Sequence, residues 1–277
     1  MNPSHYPRAQ WRLIREPYPK PGPLNMAVDE AILRAVAARE APPTVRLYGW
    51  SPPTMTLGRG QPYEDADLTA LRRHGIVLVR RMTGGTAVLN RDELTYSVAV
   101  PVGEVRFSGS VAESYRGVSE ALLHALRQLG VRGAEASGRE ENTNRSQSAS
   151  RSLVCFEIPS VYEITVGSRK LVGSSQMRVR DGVLQHGSIP LTGDIADISR
   201  FLKARPDPAR IRSRAVSLEA VVGRYVTWEE VADAVVAAFS DILNLTLVQS
   251  PLLPSERKRV EVLMTEKYAN EAWTRRL

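Results

Sequence analysis

One cysteine, Cys155, stands in 277 residues, which excludes an internal disulfide and any cysteine-rich metal site. Histidine is nearly as scarce. His5, His74, His124 and His186 are scattered with no H-x-x-x-H pair, so no metal is expected. No apolar run approaches the ~20 residues that span a bilayer. The opening MNPSHYPRAQW has no apolar stretch that could serve as a signal peptide. The expectation is a cytoplasmic protein without a membrane partner. Aromatics make up only 6% of the chain, with no aromatic-and-basic stripe and no known binding module, which argues against nucleic acid.

Hydrophobic residues reach 43%, enough for a sizeable core, and the length suits one large domain or one domain with an appendage. The formal charge is +7. Such a balance fits a polyanion or an acidic protein, because opposite fields speed encounter. The basic residues occur as scattered pairs, Arg72-Arg73, Arg80-Arg81 and Arg275-Arg276, so charge alone does not name the partner.

After a proline-rich lead, NMAVDEAILRAVAARE reads as an amphipathic helix, with Asn25 as its cap and Ala27, Ala31, Ile32 and Ala35 at helical spacing. TVRLYGW and TMTLGRG read as strands, followed by a polar helix near Asp65–His74 and the strand GIVLVRRM. That strand runs into the turn Thr83-Gly84-Gly85-Thr86 and on to LTYSVAVP. A helix over Ser110–Leu129 stops at Gly130. Residues 132–151 are polar and read as a mobile loop. From Leu153 to Leu191 the pattern is β, with turns at Gly167-Ser168 and Asp181-Gly182. Thr227 and Glu230 make a capping box for a helix, and a last helix spans about Ser255 to Tyr268. Adjacent strand runs read as antiparallel. The expected class is α+β, a mixed or antiparallel sheet packed with helices, plus a small C-terminal helical part.

Three segments stand apart from ordinary core and surface. In RRMTGGTAVLN, Arg80 and Arg81 precede a glycine pair that lets a backbone approach a ligand, and arginines there could hold an anionic group. This is neither a Walker P-loop nor a G-x-G-x-x-G fingerprint. KLVGSSQ, starting at Lys170, is followed by His186-Gly187-Ser188. Cys155 lies in LVCFEIPSVYE, where the polar loop enters the sheet. Singly, each has a bland explanation: a connecting turn, a solvated lysine, an apolar filler.

In this chain order the three resemble the catalytic domain of the biotin/lipoate protein ligase superfamily, in which R-R-x-S/T-G-G-x-A-V is followed by K-x-x-G-S-x-Q and H-G-S/T. The segments NMAVDE and DELTYS belong to the same resemblance. Within the superfamily the chain is most similar to the LipM-type octanoyltransferases, through CFEIPSVYE from Cys155 and KYANEAWTRR from Lys267. The resemblance implies a fold related to class II aminoacyl-tRNA synthetases. It implies a catalytic domain over residues 11–248 and a helical extension over 249–277. It also implies transfer of octanoyl from acyl carrier protein, through a thioester on Cys155, to a lysine of the glycine cleavage H protein or another lipoyl domain. Lys170 would lower the thiol pKa and move a proton. Arg80, Arg81, Thr83, Gly84, Gly85, Val88, Gly173, Ser174, Gln176, His186, Gly187 and Ser188 would contact substrate. One position departs from the family: Asn90 stands where a histidine is usual.

No cofactor is expected for this route. An ATP-dependent lipoate–protein ligase, with Mg and a lipoyl adenylate, is the nearest rival on the same fold. An octanoyl amidotransferase between lipoyl domains is another. Cys155 is what favours the transferase, since the remaining motifs fit a ligase almost as well.

Overall fold

The computed structural model describes residues 6–137, 154 and 163–277. Runs rich in β-branched and aromatic residues form β1 (Ala9–Arg15), β2 (Thr44–Tyr48), β3 (Thr54–Leu57), β4 (Val77–Arg80), β5 (Val88–Asn90), β6 (Glu93–Pro101), β7 (Ala134–Ser137), β8 (Glu163–Val166), β9 (Arg169–Val179), β10 (Gly182–Pro190) and β11 (Leu245–Gln249). Eight build a sheet ordered β11-β1-β2-β6-β10-β9-β8-β7, and β4-β3-β5 form a smaller one. The centre and the β7 side of the large sheet are antiparallel. β1 is parallel to both β2 and β11, and β3 is parallel to β4. The antiparallel expectation therefore holds for the hairpins and gives way where a helix connects the strands, because a crossover returns the chain in the same direction.

The helices are α1 (Gly22–Ala37), α2 (Leu68–Arg73), α3 (Val111–Gln128), α4 (Pro208–Arg214), α5 (Leu218–Val222), α6 (Trp228–Ile242), α7 (Pro254–Leu263) and α8 (Glu271–Thr274). Ser110–Glu113 and Thr227–Glu230 capping boxes open α3 and α6. Both helices cover one face of the large sheet, where Val118, Leu122, Val235 and Phe239 meet Leu47, Tyr96, Val98 and Leu171. Each such side chain, fully buried, contributes ~1.5–3 kcal/mol before the entropy of ordering it. The other face carries α1, whose Ala27, Ala31, Ile32 and Ala35 join Ile14, Tyr48, Ala99 and Leu184 in a second apolar cluster. Alternation along β6 explains the division. Leu94, Tyr96, Val98 and Val100 face α3 and α6, whereas Ala99 faces α1 and Ser97 donates to Asp29 of α1.

Several local expectations change. Asn25 is not the cap of α1. The helix starts at Gly22 with Pro23 in its first turn, and Asn25 is buried, donating to the carbonyls of Lys20 and Gly49. Ala134–Ser137, read as loop, pairs with β8 as β7. The remainder of the polar loop, Cys155 and Pro159-Ser160 lie outside the described residues. At the C-terminus, α7 packs on α1, Glu256 takes two hydrogen bonds from buried Arg12 at 2.7 and 2.5 Å, and the Thr274 carbonyl accepts from Arg80 at 2.8 Å.

Candidate active site

The glycine turn after β4 is held by close backbone approach. A Cβ on Gly58 would stand 1.7 Å from the Gly85 carbonyl oxygen, and Gly85 has a φ of +86°. Only glycine satisfies both demands. Arg81 fastens the turn by donating to the carbonyls of Gly84 at 2.7 Å and Thr86 at 2.9 Å. Arg80 is fully buried and donates to the carbonyls of Gly58 and Gln61 at 2.9 and 2.5 Å. The two arginines thus shape the turn through main-chain oxygens.

Beside the turn lies a narrow pocket with about 440 Å³ of empty space. Its described lining includes Met26, Tyr48, Trp50 and Val88 as apolar or aromatic wall, with Arg81, Gly173, Ser174, His186, Gly187 and Ser188 from the sequence-predicted set. Gly187 is fixed by packing, since a Cβ there would meet the Gly173 carbonyl and the Tyr96 ring at 2.6 Å. Arg80, Thr83, Gly84, Gly85, Gln176 and Lys170 are not among the lining residues. Gln176 sits opposite Gln185 and bonds Ser114 of α3, on the far face of the sheet. Strand alternation turns it away from the pocket.

Thr83 acts one bond behind the wall. Ser175 donates to the Thr83 hydroxyl at 2.9 Å, Thr83 meets His186 Nε2 at 2.7 Å, and His186 Nδ1 meets Asp29 Oδ2 at 3.3 Å. Asp29 is buried, which opposes its ionisation, but Arg46 and His186 together hold its carboxyl below the ordinary carboxylate value. Arg46 donates to Asp29 at 2.7 Å, and Tyr48 and Ser97 donate at 2.9 Å each. An ionised Asp29 accepts from Nδ1–H, which leaves Nε2 of a neutral imidazole to accept from Thr83. The result is an oriented chain of hydrogen bonds from the pocket to a buried carboxylate. Asp29 was missed as a site residue in the sequence, although it lies inside the NMAVDE segment.

Further in, Trp50 Nε1 donates to Thr95 at 2.7 Å, and Thr95 donates to Glu93 at 2.5 Å. Glu93 is wholly buried, and desolvation pushes its pKa up to about 7 despite the Thr95 hydrogen bond. Asn90, also on the pocket wall, donates to the Thr54 carbonyl at 3.1 Å and the Thr56 hydroxyl at 3.2 Å, tying β5 to β3.

Lys170 is 3% exposed and ion-paired with Glu163, the first residue of β8. At ~3.3 Å per residue, Lys170 stands about 10 Å along β9 from Gly173. Cys155 lies outside the described residues, but Val154 is described: it is buried and bridges in parallel to Ala87, immediately after the glycine turn. The Thr86 hydroxyl is buried there with no hydrogen-bond partner among the described residues. The described residues include no group of three or more His, Cys, Asp or Glu side chains able to hold a metal, and no helix among them is long and apolar enough to cross a membrane.

Residues 21–240 match the family model of the lipoyl protein ligase A/B catalytic domain. The octanoyltransferase LipM of Symbiobacterium thermophilum is 40% identical over 274 residues, covering 96% of this chain and 98% of that protein. Its counterpart from Kyrpidia tusciae is 43% identical over 259 residues, covering 91% and 94%. Among solved structures, a lipoate-protein ligase A bound with ATP is 25% identical with a TM-score of 0.79, over 96% of this chain and 99% of that one. A bipartite lipoate protein ligase from Thermoplasma acidophilum has the same fold, with a TM-score of 0.79 at 23% identity and 98% coverage of both chains. The chain belongs to the lipoyl protein ligase A/B catalytic-domain family and, within it, to the octanoyltransferase LipM group.

Proposed function

We propose that the protein moves an octanoyl group from acyl carrier protein onto the Cys155 thiol and from there to a lysine of a lipoyl-domain acceptor, the glycine cleavage H protein being the acceptor expected. The observation that carries this reading is the bridge between Ala87 and Val154. It ties the residue before the only cysteine to Ala87, between the glycine turn and Val88 of the pocket wall, and consecutive Cα atoms are about 3.8 Å apart.

The chemistry balances without a nucleotide. A Cys155 thiolate attacks the donor carbonyl, a new thioester forms, and the carrier thiol leaves with a proton. The acceptor amine then attacks the acyl-cysteine, an amide forms, and the Cys155 sulfur leaves. A free thiol is mostly protonated near neutral pH, so the first step requires a neighbouring positive charge, the role assigned to Lys170. The second step releases a proton from the amine. Lys170, or the Ser175–Thr83–His186 chain, would receive it. Met26, Trp50 and Val88 supply apolar wall for the acyl chain. The unpartnered Thr86 hydroxyl and the main-chain N–H groups of residues 83–86 and 173–175 are the donors proposed for the oxyanion.

Incubation with octanoyl-acyl carrier protein, without ATP, should give an octanoyl adduct by intact mass. The adduct should vanish in Cys155→Ser and on hydroxylamine treatment. Acylation should slow in Lys170→Ala, with a higher apparent thiol pKa. Activity that appears only with ATP and free lipoate would replace this reading with the ligase.

A further inference from the structure

The C-terminal segment Lys267–Arg276 takes no part in the pocket, yet it builds a second depression. A groove with about 1,020 Å³ of empty space runs between α1, the end of β9 and this segment. Four of its lining residues are cationic, Arg34, Arg59, Lys267 and Arg276, against the two acids Glu30 and Asp181. Glu30 is already engaged, holding Arg34 and Lys267 at 2.6 Å each and Tyr268 at 2.6 Å. Arg59 and Arg276 have no carboxylate within ion-pair distance among the described residues, and both are exposed. Arg276 instead lies 4.1 Å over the Trp273 ring and donates to the Arg59 carbonyl at 3.1 Å.

These cations work against one another. Burial lowers the Lys267 pKa and Glu30 opposes that, but Arg34 and Arg276 push it down further. Burial also lowers the Arg80 pKa, and Arg276 adds to it. Like charges held together cost stability unless an anion relieves them. The floor between them is apolar, with Met82, Met177 and Trp273.

The groove and the site are joined along the chain. Met82 precedes Thr83, Met177 lies two residues beyond Ser175 on the same strand face, and the Arg59 N–H donates to the Thr83 carbonyl at 2.8 Å. Of the two protein substrates, only the donor brings an anion on its reacting arm, the phosphodiester of its prosthetic group. The acceptor presents a lysine, which a positive groove repels.

We propose that this groove docks the acidic acyl-carrier donor, with Arg59 and Arg276 receiving the anionic charge of its phosphopantetheine arm and adjoining helix. The inference rests on the transferase reading above. Met82, Met177 and Trp273 cover the uncharged part of the arm as it passes toward the Thr83 turn.

The test compares the wild type with R59E/R276E and the milder R59Q/R276Q. Two donors are used: octanoyl-acyl carrier protein and the uncharged octanoyl-N-acetylcysteamine. Docking in the groove predicts a KM for the protein donor raised about 10-fold or more in the double reversal, with kcat little changed. Turnover of the small donor should be unaltered, and the salt dependence of the protein-donor KM should flatten. An unchanged protein-donor KM overturns the proposal. So does an equal loss with both donors, or a KM change confined to the acceptor. If the wild type uses neither donor, the transferase reading fails by itself. Fluorescence anisotropy of labelled holo-acyl carrier protein then still reads the groove, with weaker binding to R59E/R276E expected and equal binding refuting it.

Discussion

Glu93 offers a quantitative test of how the pocket beside the glycine turn is built. Its carboxyl is wholly buried beneath Trp50 and Thr95, and its pKa stands at about 7 against an ordinary 4.5. Between those two values the folded state keeps a proton that the unfolded chain has released, so stability must fall as pH rises. A displacement of about 2.5 pH units corresponds to roughly 3 kcal/mol, fully developed above pH 7. Most of that loss, about 2 to 3 kcal/mol, accumulates between pH 5 and pH 8. Glu93→Gln keeps the shape, retains an acceptor for Thr95 and cannot ionise. Urea unfolding of both proteins across pH 5 to 8 should therefore show the wild type losing about 2 kcal/mol relative to the variant. The same titration should weaken binding of an apolar acyl chain above pH 7 in the wild type alone, since a charge then appears under the pocket floor. Parallel stability curves would show that Glu93 titrates as an ordinary carboxyl and refute the account.

Four further outcomes follow from the geometry. His186→Gln should lower transfer by about 10²-fold, the scale of a lost proton-transfer group; kcat unchanged within twofold would remove the Asp29–His186–Thr83 chain from the mechanism. Gly187→Ala should destabilise by about 1–3 kcal/mol in urea melts, because its Cβ meets Gly173 and Tyr96 inside a rigid sheet. Arg12→Ala should cost about 3–5 kcal/mol, as it leaves Glu256, fully buried, without its guanidinium; a loss under 1 kcal/mol would mean that the C-terminal helices are held by apolar contacts alone. Lys170→Met should likewise destabilise, with much of the loss recovered in Lys170→Met/Glu163→Leu, since removing both members of a buried pair is often close to neutral. A double variant no more stable than the single would count against that pairing.

What could be read in the sequence was whatever local pattern encodes. The β9–β10 hairpin, the Thr227–Glu230 capping box and the span of α3 come from nearest neighbours and turn chemistry, so they needed no knowledge of the rest of the chain. β1 was hidden because AQWRLIR has a charge in its middle, and Arg12 is tolerated there through the Thr44 hydroxyl and, above all, the Glu256 carboxylate 244 residues away. α1 shows the same limit. The local pattern ranks its alanines and Ile32, casts Asn25 as a cap and gives Asp29 and Glu30 no standing, although all three are buried. Their partners are Arg46 on β2, His186 on β10 and Lys267 near the C-terminus. The segments of the candidate site were legible by motif, and the structure parts their residues for one reason. Motif order names residues that meet, whereas strand alternation decides which of them face the same way. Ser175 and Gln176 are adjacent in the chain, yet one enters the hydrogen-bond chain to Asp29 and the other bonds α3 across the sheet. A helix buried on several sides by charged partners from three distant segments is costly unless its polar groups are needed. That is why Asp29, the residue with most of those partners, ranks with Cys155 and Lys170 as a position to test.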